Sequence, residues 1–148
     1  MYKANLVEKI TIERSIWIAA PRERVWQAVI DPVQIAAWFA PGIDFTQNGN
    51  RLSIRIDGAD VEVALIEVVD PPRQLTTRSL PNMLLATTYT LEEENVGTRF
   101  TVTESGFELL PEEARKQRLE QDNAGWEMAL ENLKAYIDGR PLPRPEGF

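Results

Sequence analysis

PEEARKQRLEQDNAGWEMALENLKAYIDG, residues 111–139, is the stretch on which the fold turns. Leu119, Trp126, Leu130, Leu133 and Ile137 recur at i, i+7, i+11, i+14 and i+18, one face of a helix. The helix opens near Pro111 with Glu112 and Glu113 at its positive end, and Asp138-Gly139 supplies the stop. Unbroken, it spans roughly 28 residues and about 42 Å. Gly125 is its weak point, because glycine costs about 1 kcal/mol against alanine in a helix interior. An apolar stripe of this length needs a broad partner surface.

That surface lies upstream, in a succession of strands. Asn48-Gly49 separates Ile43–Gln47 from Arg51–Asp57, a strong hairpin signal. In the second of these, Leu52, Ile54 and Ile56 share one face, and Arg51, Ser53 and Arg55 the other. Asp57-Gly58 turns into Asp60–Val69, whose alternation slips at Leu65-Ile66 and predicts a β-bulge there. Pro71-Pro72 breaks the run, and Gln74–Ser79, Leu84–Glu93 and Gly97–Ser105 complete the series. Before the meander, Lys9–Ala19 alternates as a strand with Ile10, Ile12, Ile16 and Ile18 in phase. Pro21 then starts a short helix, and Asp31-Pro32-Val33-Gln34 reads as an N-cap, a first-turn proline and a capping-box glutamine. This second short helix carries Ile35, Trp38 and Phe39 and ends at Pro41-Gly42.

Six or seven antiparallel strands and one long helix bury both apolar faces only if the sheet curves around the helix. The expected class is therefore α+β, with two short helices after the first strand plugging one end. A cavity between sheet and helix follows from that geometry. One domain covers residues 1–148, with a core at about 9–139 and a proline-rich tail at 140–148 running loosely along the surface.

Composition removes much chemistry. Among 148 residues there is no Cys and no His. No thiolate nucleophile, zinc finger, imidazole base or HExxH site is available. Asp and Glu show no EF-hand spacing, so neither a metal nor a cofactor is expected. The net charge is −7, and the one basic cluster, Arg115-Lys116 with Arg118, is surrounded by Glu112, Glu113, Glu120 and Asp122. It reads as a solvated helix face, and neither nucleic acid nor membrane is an expected partner. Residues 1–8 lack an apolar leader core and no run approaches about 18 apolar residues, which makes a cytoplasmic location the expectation.

Several motifs also resemble a known family. Ala20-Pro21-x-x-x-Val25-Trp26-x-Ala28 and Asp31-Pro32-x-x-Ile35-x-x-Trp38-Phe39 resemble the opening of the START-like (SRPBCC) superfamily, in the branch named after activators of the heat-shock-protein ATPase. Val68-Val69-Asp70-Pro71-Pro72-Arg73-x-Leu75 resembles that branch's mid-chain strand pair. Thr101-Val102-Thr103-Glu104-Ser105-Gly106-Phe107 and Gly125-Trp126-x-x-x-Leu130-x-x-Leu133-x-x-Tyr136 resemble its last strand and helix. The resemblance covers residues 10–139 and implies the helix-grip fold with an apolar cavity. It leaves function open, because the superfamily holds carriers, receptors, cyclases and chaperone activators.

Seven residues are candidates for contact with a guest. Trp38 and Phe39 sit where a short helix crosses the cavity mouth, with plain core packing as the competing reading. Trp126 and Leu130 lie on the inward helix face, and Asn123 lies near the same stripe, where a buried amide needs partners. Tyr89 puts a hydroxyl on an apolar body in the phase of Leu85, Thr87 and Leu91. Glu104 follows Phe100 and Val102 in period two; it points either inward, with a raised pKa, or into water at a strand end. Arg14 and Arg78 are its candidate inward partners. The leading function is binding of a small apolar or aromatic molecule, with a homodimer left open. A cyclase- or hydrolase-type enzyme using Glu104 and a chaperone-activator-like protein-binding module are the alternatives, and no residue is assigned as catalytic.

Overall fold

A computed structural model describes residues 8–146. Strand β1 (Thr11–Ile18) is followed by helices α1 (Arg22–Ile30) and α2 (Pro32–Trp38). The meander runs β2 (Phe45–Asn48), β3 (Arg51–Ile56), β4 (Ala59–Asp70), β5 (Gln74–Ser79), β6 (Ala86–Glu94) and β7 (Gly97–Ser105). A 3-10 turn at Phe107–Leu109, which the sequence pattern does not predict, leads into the long helix α3 (Glu112–Asp138). α3 continues through Gly125 for 27 residues and stops at Gly139, whose φ of 72° is left-handed.

All seven strands form one antiparallel sheet in the order β1-β7-β6-β5-β4-β3-β2. β2 to β7 pair in chain order, as hairpin signals dictate. β1 joins the far edge instead, pairing with β7 from Thr11↔Ser105 to Ile18↔Thr98. The α1–α2 segment therefore carries the chain from one edge of the sheet to the other, across its end.

β4 slips twice, at Val63 and at Glu67, on either side of the Leu65-Ile66 step where the alternation predicts a single bulge. The β3 register shifts opposite residues 62–64, and the β5 register shifts between Ile66 and Val68, leaving Glu67 as an extra residue. Each bulge bends the strand and increases its twist. Ile56 and Val61, at the tip of the β3–β4 hairpin, are exposed, so the regular inward alternation expected of Leu52, Ile54 and Ile56 does not persist to the end of β3.

The main core lies between α3, α1, the tip of α2 and the β1–β7–β6 side of the sheet. Ile18, Val25, Val29, Trp38, Phe100 and Leu133 are almost fully buried in it. Asp31 caps α2 by accepting the Val33 N–H at 3.0 Å, as read from the sequence. Gln34 does not reach back to the backbone as a capping-box residue does. Its amide donates to Asp31 Oδ2 at 3.4 Å, and its carbonyl accepts from Arg24 and from Tyr136 of α3. Gly106 is required by a close approach: its φ is +102°, and a Cβ there would lie 2.1 Å from the Leu84 carbonyl oxygen.

One polar node holds helices and tail together. Asn132 is fully buried on α3; its amide nitrogen donates to the Trp38 carbonyl at 3.1 Å and to the Arg144 carbonyl at 2.9 Å. Its oxygen accepts the Arg144 N–H at 2.9 Å. Residues near 144 are thus pinned to the helix, where the proline content suggested a loose run, because a buried amide takes partners wherever the backbone offers them. We expect Asn132→Ala to cost about 2–3 kcal/mol by stranding these backbone groups. Urea unfolding together with limited proteolysis tests this: faster cleavage within residues 140–146 is expected, and an unchanged rate would show that the tail is held by other contacts.

Candidate functional site

α3 packs along β1 and beside α1 and α2, so most of the sheet floor from β2 to β6 is left for other elements to cover. The result is a cavity of about 430 Å³. Its roof is Val29 and Ile30 of α1 and Ile35 and Trp38 of α2, with Phe39 just past the end of α2. Its floor includes Leu52, Ala64, Ile66 and Leu75 from β3, β4 and β5. From α3 only Arg118 and Trp126 reach it. The space therefore lies beside the first half of α3 and under α2, not along the whole helix.

Five of the seven candidate residues meet here: Trp38, Phe39, Tyr89, Glu104 and Trp126. Trp38 is also structural, with its indole N–H donating to the Ala28 carbonyl at 2.8 Å. Phe39 meets the rings of Trp38, Phe45 and Trp126, at 5.5, 6.5 and 6.0 Å between centroids. The Tyr89 ring packs on Phe100 at 5.1 Å and edge-on to Trp126 at 6.0 Å. Such offset and edge contacts hold the aromatic wall in one arrangement.

Asn123 and Leu130 lie elsewhere. Asn123 is exposed and accepts from Arg14 Nε at 2.8 Å, on a separate groove between β1 and α3. Leu130 lies one turn beyond Trp126, where α3 is already seated on the sheet, and it packs in the core. Arg14 and Arg78 are not partners of Glu104 either. Arg14 pairs with Glu127 at 3.7 Å, and Arg78 pairs with Glu67, the extra residue of the β4 bulge.

Glu104 points inward and is only 6% exposed. Trp126 Nε1 donates to its Oε1 at 3.0 Å. Its carboxyl pKa is pushed up to about 7, by burial first and then by the Asp122 carboxyl hydrogen-bonded beside it. The Trp126 N–H and the Arg118 guanidinium pull the other way without reversing this. Arg118 Nε in turn donates to both Asp122 oxygens at 2.9 Å. Burial, and then the charge of Glu104, push the Tyr89 hydroxyl well above its ordinary value, so it remains a protonated donor.

Asp122 and Arg118 are the residues that the sequence reading assigned to a solvated face. The signal was present: 118, 122 and 126 are spaced i, i+4 and i+8, one stripe ending on Trp126. Among the described residues there is no group of Asp and Glu able to hold a metal ion, and no helix is long and apolar enough to cross a membrane.

An open seven-stranded antiparallel sheet gripping one long helix, with a largely apolar cavity beside it, defines a helix-grip cavity protein. The chain belongs to the Activator of Hsp90 ATPase homolog 1-like family, whose model matches residues 19–138. Solved structures share the fold. The Aha1 dimer of Colwellia psychrerythraea aligns with a TM-score of 0.71 at 18% identity, covering 86% of this chain and 96% of that one. Protein SSP2350 of Staphylococcus saprophyticus aligns with a TM-score of 0.71 at 24% identity over 90% and 96%. CalU16 of Micromonospora echinospora aligns with a TM-score of 0.60 at 27% identity over 87% and 75%. No curated protein sequence matches the chain.

Glu104 gives a pH test with a definite sign. Its folded pKa is raised, so the folded state holds the proton more tightly than the unfolded chain does. The stabilisation is complete below the ordinary carboxylate range and is lost as pH rises through about 7. Between about pH 4.5 and pH 8 this group should remove on the order of 3 kcal/mol. Urea titrations across that range should show the loss in the wild type and a flattened profile in Glu104→Gln, with the variant the more stable at pH 8. Parallel profiles for the two proteins would contradict the assignment.

Proposed function

We propose that this protein binds a small, uncharged, apolar or aromatic molecule in the cavity between the sheet, α2 and the first half of α3. The observation that carries the reading is a space of about 430 Å³ walled by aliphatic and aromatic side chains, with its ionisable groups gathered at one end. Pockets of this size and make-up suit a compact organic guest. Burial of apolar area at about 25 cal/mol per Å², less the cost of ordering, supports micromolar binding. Arg118 is engaged by Asp122, so it offers little free charge to an anion.

The Glu104–Asp122 pair favours a second reading, an acid–base enzyme acting on the same guest. A carboxyl with a pKa near 7 can both give and take a proton at neutral pH. Conversion of a bound compound by the wild type but not by Glu104→Gln, with binding retained, would establish it. A homodimer belongs to the same proposal, supported by the dimer formed by the Colwellia protein; a monomer mass by light scattering at working concentration would remove it.

Titration with a panel of uncharged aromatic compounds, followed by tryptophan fluorescence and melting temperature, is the test of binding. Two of the four tryptophans, Trp38 and Trp126, line the cavity and should report occupancy. Ala64→Phe, which fills floor space, should weaken binding about tenfold or more and leave the fold intact. If no compound shifts the melting temperature and no guest co-purifies in native mass spectrometry, the reading fails.

A further inference from the structure

The two edge strands of the sheet differ. β2 is four residues long, whereas β1 is eight, holds no proline or glycine, and keeps register with β7 from end to end. None of the usual devices that blunt an edge, a bulge, a proline or a very short strand, is present in β1.

The direction of the β1 peptide groups follows from the β6–β7 hairpin. Asn95 and Val96 both have positive φ, 48° and 61°, and form a two-residue turn that closes on the hydrogen-bonded pair Glu94↔Gly97. Hydrogen-bonded and open pairs alternate along an antiparallel ladder. Gly97, Arg99, Thr101 and Thr103 therefore bond to β6, and Thr98, Phe100, Val102 and Glu104 bond to β1. Their β1 partners are Ile18, Ile16, Arg14 and Ile12. The N–H and C=O groups of Glu13, Ser15 and Trp17 accordingly point away from the sheet. Lys134 Nζ donates to the Trp17 carbonyl at 3.1 Å. Among the described residues, no donor or acceptor reaches the outward peptide groups of Glu13 and Ser15.

A groove of about 390 Å³ runs beside these groups, between β1 and α3 and apart from the cavity. α3 follows β1 in the same direction, since Arg14 meets Asn123 and Glu127, and Trp17 meets Lys134. Arg14 is thus already engaged, whereas Glu13, Glu127 and Glu131 give the groove an excess of negative charge. Glu127 and Glu131 are exposed and stand about 6 Å apart along the helix. Alternate side chains on one face of a strand stand about 6.8 Å apart.

We propose that the free edge of β1 takes an extended peptide segment, antiparallel to it, with lysine or arginine at alternate positions. The segment adds an eighth strand: its backbone bonds to Glu13 and Ser15, and its cationic side chains turn toward Glu127 and Glu131. A second copy fits this edge less well, because β1 paired with β1 brings two acidic α3 stripes to the same side of the joined sheet. The inference is independent of what the cavity holds.

Calorimetry with blocked peptides of about seven residues tests it, one alternating lysine and threonine and one alternating glutamate and threonine. The lysine peptide should bind at least about tenfold tighter. N-methylation of its threonines, whose N–H groups face β1, should weaken it about tenfold, the order expected for one or two lost hydrogen bonds, and N-methylation of its lysines by less than about twofold. Ser15→Pro removes only an outward N–H and should weaken binding about fivefold. Glu131→Lys, at an exposed helix position, keeps the test open should that variant fold poorly: it should weaken the lysine peptide about tenfold and strengthen the glutamate peptide. Hydrogen exchange by NMR reads the edge itself, with the Glu13 and Ser15 amides fast in the free protein and protected by the lysine peptide. Binding without that protection, or binding unmoved by threonine N-methylation, reduces the contact to charge alone and overturns the proposal. Protection of both amides in the free protein, together with a dimer mass, gives the edge to a second copy and also overturns it. So does an absence of binding at millimolar peptide.

Discussion

One helix about 10 Å across cannot cover a sheet whose seven strands, at about 4.8 Å spacing, span about 29 Å. Everything distinctive here depends on that mismatch. α3 covers the side where β1 and β7 pair, and it buries Ala129, Leu130, Leu133 and Ala135. The rest of the floor needs a second cover, and α1 and α2 supply it because β1 and β2 occupy opposite edges. Two short helices spanning that gap roof the floor without filling it. The cavity is the remainder.

Ionisable groups sit at that remainder in a segregated way. Tyr89, Glu104 and Arg118 line it where the first half of α3 meets β6 and β7, with Asp122 beside them outside the lining, while the walls under α2 carry no ionisable group. Segregation matters because a buried carboxylate is tolerated only with partners. Asp122 has Arg118 as its counter-charge, and Glu104 keeps a proton through much of the acidic and neutral range. The pair thus stays near neutrality through the Glu104 proton and the Arg118 guanidinium. The consequence is a cavity end that donates and accepts hydrogen bonds yet presents little net charge.

Stability and site are joined through Trp38. Its ring roofs the cavity, its N–H is tied to the end of α1, and its carbonyl is tied through Asn132 to α3 and to Arg144. Any widening of the cavity by lifting α2 would break these bonds together. The roof is therefore a packed part of the core, whereas Phe39, Phe45 and Leu52, which line the cavity towards β2 and β3, are only partly buried.

How much was legible beforehand follows from how local each signal is. Asn48-Gly49, Asp57-Gly58 and Asp138-Gly139 specify turns and a helix stop through the conformations of two residues each, and these elements fall where the sequence places them. Tyr89, Glu104 and Trp126 are brought to one cavity because strand period and helix period alone put them on inward faces. Other features needed the whole molecule. Pairing of β1 with β7, 80 to 94 residues apart in the chain, has no local signature, and it decides which edge α3 covers. Periodicity could not show that Leu130 would be seated in the core while Trp126, one turn earlier, faced open space. That boundary is set by where the helix leaves the sheet. Nor could it show that Glu104 would meet Asp122 and Arg118 instead of Arg14 or Arg78. Strand and helix phases say which way a side chain points; the packing of α3 across the sheet decides what it meets.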